Sequence, residues 1–166
     1  MKTYIVQATR KKGIAYRKTP YSKKRGSAYH WTYVIRATNK ATRKRIAKGA
    51  ENAVKCGKIK YSNESKTNAK LYDDTKRYKW NCLKLKKRSS TNCCNLASVA
   101  CNYAGIRTPR KNTATTLPHK WSKIKGLKVY RYRHGKTKLK RGDILDANIK
   151  PKVHTAIYIG KRGKKK

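Results

Sequence analysis

The chain has 166 residues, with 47 Lys/Arg against 6 Asp/Glu and a formal net charge of +41. That length fits one domain, and such an imbalance points to a polyanionic partner: nucleic acid, an anionic lipid surface or an anionic cell-wall polymer. Six acids exclude most two-carboxylate chemistry unless they converge, and there is no run of about 18 apolar residues to span a membrane.

The start, MKTYIVQATRKK, lacks the apolar core of a signal peptide, so the protein is expected to stay where it is made or leave by another route such as cell lysis. Tyr4-Ile5-Val6 and Trp31-Thr32-Tyr33-Val34-Ile35 read as two short strands joined by a basic loop, Lys18 to Gly26. Residues 1–36 are therefore expected to form a basic N-terminal extension, a hairpin that either touches a polyanion or is merely solvated, ahead of a domain over 37–166. Thr38 or Asn39 opens a helix to about Cys56, with Ile46, Ala47, Ala50, Ala53 and Val54 inward and Gly57 ending it. Lys58 to Lys66 is a polar loop carrying Tyr61, a second helix is predicted from about Thr67 to Tyr78, and 80–91 reads as loop.

Next comes NCCNLASVACNYAG, Asn92 to Gly105, fourteen residues without a single Lys or Arg. Leu96, Val99, Ala100 and Tyr103 recur at helical spacing, Asn92 can cap the start and Gly105 can end the helix in a left-handed turn. This central helix has little polar surface and belongs in the core. Arg107 to Thr116 is irregular, Leu117 to Ile124 a short helix with Pro118 in its first turn, and Leu127 to Arg133 a strand turning at His134-Gly135. Two more strands are predicted, Asp143 to Ala147 and Val153 to Ile159. Alternation puts His154, Ala156 and Tyr158 on one face of the last. His30, His119 and His134 read as surface or loop residues, and the chain closes on a basic tail, KRGKKK.

The cysteines are five: Cys56, Cys82, Cys93, Cys94 and Cys101. An odd number with two adjacent makes no disulfide framework, and without a CxxC pair a zinc site is not expected, so free thiols and no metal or cofactor are predicted. Two adjacent thiols at a helix start have two readings. They are small apolar packing residues, or one of them is a nucleophile, since the positive end of the helix dipole favours the thiolate. A histidine some 60 residues later at a strand start, His154, supplies a base that sequence distance does not forbid.

Three blocks carry a resemblance to the NlpC/P60 family of cysteine peptidases, particularly small phage forms: Tyr61-Ser62-Asn63, then Asn92-Cys93-Cys94-Asn95-Leu96 running to Ala104-Gly105, then Arg141-Gly142-Asp143-Ile144-Leu145 followed by His154 to Gly160. The resemblance implies an α+β, papain-like fold with the central cysteine-bearing helix packed on an antiparallel sheet. It implies Cys93 as nucleophile, His154 as base, Tyr61 lining the substrate cleft, and hydrolysis of an amide bond in the peptide stems of bacterial cell wall, with peptidoglycan and its anionic polymers as partners. A monomer in a phage virion or host cytoplasm, released to the wall, is the matching expectation.

The family's third polar residue, a dozen positions after the histidine, would fall on Lys166, which has no acceptor for an imidazole. Asp143 and Asn148 are the stand-ins that the sequence offers. The other reading is a papain-like scaffold with weakened chemistry, acting as a basic nucleic-acid-binding or virion protein.

Overall fold

Val6, Ala8 and Ile14 alternate with more polar neighbours, and the first two strands fold back on each other. In the computed structural model, which describes residues 3–18, 31–133, 135–148 and 153–162, β1 (Tyr4–Thr9) and β2 (Gly13–Lys18) form an antiparallel hairpin. This corrects the expected pairing. The runs at 4–6 and 31–35 do not pair with each other: β1 lies between β2 and the last strand, and β3 (Tyr33–Ala37) lies elsewhere in the sheet. The pattern of β2 was masked by the Lys and Arg residues that flank it. Beyond Lys18 the predicted basic loop to Gly26, like His30, His134 and the tail from residue 163, lies outside the described residues.

The main sheet has six strands in the order β2-β1-β8-β7-β3-β6, where β6 is Leu127–Arg131, β7 Ile144–Ala147 and β8 His154–Gly160. Every neighbouring pair is antiparallel. One face carries Val6, Ile35, Ile144, Ile157 and Ile159 against two helices, and the other buries Ile5, Val34, Leu145, Ala156 and Tyr158 under Trp31, Tyr132 and Leu139. The fold is α+β, with a period-2 alternation on the strands separating two cores.

Helix α1 (Lys40–Cys56) starts where the Asn39 side chain accepts from Thr42 N at 3.1 Å and stops at Gly57, as expected. It lies against α3 (Cys93–Tyr103), and Gly49 permits the close approach, since a Cβ there would sit 2.9 Å from the Tyr103 ring. The predicted second helix is shorter, α2 (Lys70–Lys76), because 65–69 form turns. Two stretches read as loop contain strands: β4 (Ile59–Tyr61) pairs in parallel with β5 (Ser89–Thr91). Three-residue strands are too short to show alternation. Helix α4 (Leu117–Trp121) continues as turns.

Arg141-Gly142-Asp143 is a corner that ties β7 to the rest. Gly142 has φ +94°, and a Cβ there would collide with the Arg43 carbonyl oxygen, so no side chain fits. Arg141 pairs with Glu51 and donates to Ile159 O at 3.0 Å, while Asp143 takes both arms of Arg36 at 2.8 and 2.7 Å. Among the described residues no helix is long and apolar enough to cross a membrane.

Candidate active site

The site begins with the way β5 hands the chain to α3. Asn92 is extended (φ −93°, ψ −178°), and its side chain accepts from Asn95 N at 2.8 Å, which starts the helix at Cys93. Asn95 then holds its surroundings: its amide donates to Asn68 O at 3.0 Å, and its carbonyl oxygen accepts from Asn112 N at 2.8 Å. Trp121 Nε1 donates to Asn112 Oδ1 at 2.9 Å, closing a buried polar frame around the helix start.

Cys93 is half-buried, whereas Cys94 is buried and directs its thiol at the Asn112 carbonyl 3.0 Å away. The Cys94 side chain, then the His154 ring and the Thr155 backbone N–H, hold the Cys93 thiol well below its ordinary pKa against the burial that opposes them. The Cys94 thiol is pushed up, by Cys93 beside it and by burial. The two adjacent thiols therefore shift in opposite directions, Cys93 down and Cys94 up.

His154 opens β8, buried, with its Nε2 3.0 Å from Gln7 Oε1 and its ring centroid 6.1 Å from that of Trp31. A carbonyl oxygen accepts only, so in this pairing Nε2 carries the hydrogen, and the same imidazole bonds the Cys93 thiol. Gln7 reaches the ring because β1 pairs directly with β8. The residues named as stand-ins lie elsewhere in the bonding pattern. Asp143 is spent on Arg36 and on the Lys140 N–H at 2.7 Å, and Asn148 accepts from Thr32 Oγ1 at 2.9 Å. The acceptor comes from the first strand, which the sheet order sets beside β8, and not from residues after His154. A signal was there: Gln7 is an amide set between Val6 and Ala8 inside a buried strand.

Tyr61 ends β4 opposite Thr91, and Ser62 N donates to Thr91 O at 3.0 Å, which ties the Tyr61-Ser62-Asn63 loop two residues upstream of Cys93. A cleft of ≈330 Å³ is lined there by Arg10, Tyr61, Ser62, Asn63 and Glu64. Glu64 stands apart from the other acids. Glu51, Asp73, Asp74 and Asp143 each pair with Arg or Lys, and Asp146 with Thr155, while the Glu64 carboxylate meets no cation among the described residues.

Asp146 lies beneath the site, fully buried, taking Thr155 Oγ1 on Oδ1 at 2.8 Å and leaving Oδ2 without a partner among the described residues. Burial first, then the charge of Cys93, pushes its pKa up to about 8. All five cysteines are free, and among the described residues no three His, Cys, Asp or Glu side chains gather around a common point.

Residues 15–166 match the family model described as Endolysin-like domain. No curated protein and no solved structure matches the chain. The match starts after Gln7 and takes in Tyr61, Cys93 and His154.

Proposed function

We propose, because the chain belongs to the endolysin-like domain family, that it is a cell-wall hydrolase cutting an amide bond in the peptide stems of peptidoglycan, with the cysteine–histidine arrangement of NlpC/P60 peptidases. The observation that carries this reading is the convergence of Cys93, His154 and Gln7 at the start of one buried helix. The Cys93 sulfur attacks the amide carbonyl carbon. The oxygen takes up negative charge near the Cys93 backbone N–H, a donor with no acceptor inside the helix. His154 passes the thiol proton to the departing amine, leaving a thioester on Cys93. It then takes a proton from the water that hydrolyses that thioester. Gln7 keeps the ring in the tautomer that faces sulfur.

The cleft wall supports a peptide-stem substrate. Arg10 and Glu64 offer one charge of each sign, and stems carry both carboxylates and amines. The +41 charge supports attraction to anionic wall polymers. Digestion of purified peptidoglycan, read by mass spectrometry for the parent chain and for Cys93→Ala, tests the reading. New stem-peptide fragments from the parent alone are expected. No fragments from either, with DNA retained at the same salt, would replace the hydrolase with the basic binding protein.

A further inference from the structure

A second concavity lies away from Cys93. A cleft of ≈530 Å³ opens at the far end of α3, bordered by Arg45, Trp80, Lys84, Asn102, Tyr103 and Arg107. Along the helix axis it lies about 15 Å from the cysteine, ten residues at 1.5 Å each.

Several independent features mark it. Lys79 and Trp80 hold the chain at φ 53° and 60°, a conformation no other non-glycine described residue adopts. It costs a bulky residue such as Trp on the order of 1–3 kcal/mol, and strain of this kind gathers at ligand sites. The Trp80 Nε1 is buried with no partner among the described residues. Its ring leans on Tyr72, centroids 5.6 Å apart at 57°. The Arg45 guanidinium lies 4.7 Å over the Tyr103 ring and donates to Tyr103 O at 3.3 Å, so a cation is held in place before any ligand arrives. Asn102 is buried and spends its amide nitrogen on Ser98 and Thr108, leaving the carbonyl oxygen to accept from a hydroxyl. None of the six acids lines the cleft.

Arg45, Lys79, Lys84 and Arg107, none of them in an ion pair among the described residues, call for an anion. Tyr78, Trp80 and Tyr103 supply aromatic surface for C–H groups, and the Asn102 carbonyl accepts a hydroxyl. Together these describe an anionic sugar. A nucleic-acid strand fits less well, because one side of Trp80 is already taken by Tyr72 and is closed to a stacking base.

We propose that this cleft binds a phosphorylated or carboxylated sugar unit of a polymer. Calling that polymer cell wall rests on the hydrolase reading, while the sugar binding does not.

The test uses the full chain carrying Cys93→Ala, so that nothing turns over, and follows the Trp80 indole N–H signal by NMR during titration. The probes are glucose 6-phosphate, N-acetylmuramic acid, neutral N-acetylglucosamine and thymidine 5′-monophosphate. A saturable shift of the Trp80 signal is expected with one or both anionic sugars. The phosphate alone would assign a sugar phosphate, and the muramic acid alone a carboxylate. The neutral sugar should bind at least about tenfold more weakly. The exposed pair Arg45→Gln/Lys84→Gln should weaken binding at least about tenfold, while Lys128→Gln/Lys138→Gln, which removes the same charge from a remote surface, should leave it unchanged. Equal weakening by both pairs, no movement of the Trp80 signal with either anionic sugar, or tighter binding of thymidylate would overturn the proposal. Because the signal needs no catalysis, a negative wall digestion leaves this result intact.

Discussion

The two ends of α3 are made of opposite materials. At its start stand Asn92, two thiols, Asn95 and the buried amide of Asn112, with no Lys or Arg among Asn92 to Gly105. At its end stand Arg45, Lys84 and Arg107 with aromatic rings. The helix dipole accounts for part of the contrast. Its positive end already favours a thiolate at Cys93, so no basic side chain is required there. Its negative end, by contrast, is offset by Arg45 on the Tyr103 carbonyl.

The comparison breaks first at Cys93. Cys93→Ala should abolish wall digestion while leaving the circular dichroism spectrum and thermal midpoint close to the parent's, and Cys94→Ala should keep most activity. A lethal Cys94 change would move the nucleophile by one residue. Gln7→Ala should lower kcat on the order of 10²-fold, through loss of ring orientation, with little change in KM. Gln7→Glu, which still accepts from Nε2, should recover part of the loss. If Gln7→Ala is neutral, the ring is held some other way.

The cysteines sharpen the same contrast along one helix. Near neutral pH iodoacetamide should label Cys93 first, whereas Cys101, near the other end, is fully buried with its thiol pushed up by burial and should react only on unfolding. Glu64→Gln should raise KM about fivefold, the worth of one exposed ion pair of roughly 1 kcal/mol, with kcat unchanged.

Asp146 bears on stability and not on turnover. The folded chain holds this carboxyl protonated up to about pH 8, while the unfolded chain releases the proton near pH ~4. Unfolding therefore releases a proton between those values, and stability falls as pH rises through that window. Asp146→Asn should flatten the fall, seen as a smaller drop in thermal midpoint between pH 5 and 8.

Much of this was legible in the sequence. The caps of α1 and α3, the buried face of α3 and the alternation of β8 follow from Asn39, Asn92, Gly57 and the spacing of apolar residues, because those are local rules. What the sequence hid was pairing between distant segments. β2 sits among lysines, β4 and β5 are three residues each, and nothing near Gln7 says that β1 will lie against β8. The candidate nucleophile and base were visible because each begins a regular element. The residue on the ring was not, since sheet order is a long-range outcome of packing. The content of the Arg141-Gly142-Asp143 run is steric: the Arg43 carbonyl occupies the space of a side chain at Gly142.

The place of β8 inside the sheet sets a timetable. β8 is the last strand in chain order, yet it inserts between β1 and β7. Until residues 154–160 have been synthesised, the hairpin β1–β2 and the trio β7-β3-β6 are separate half-sheets with open edges facing one another. The same insertion that closes the sheet delivers His154 to Cys93 and to Gln7. A nascent or truncated chain lacking that strand keeps Cys93 but has no imidazole beside it.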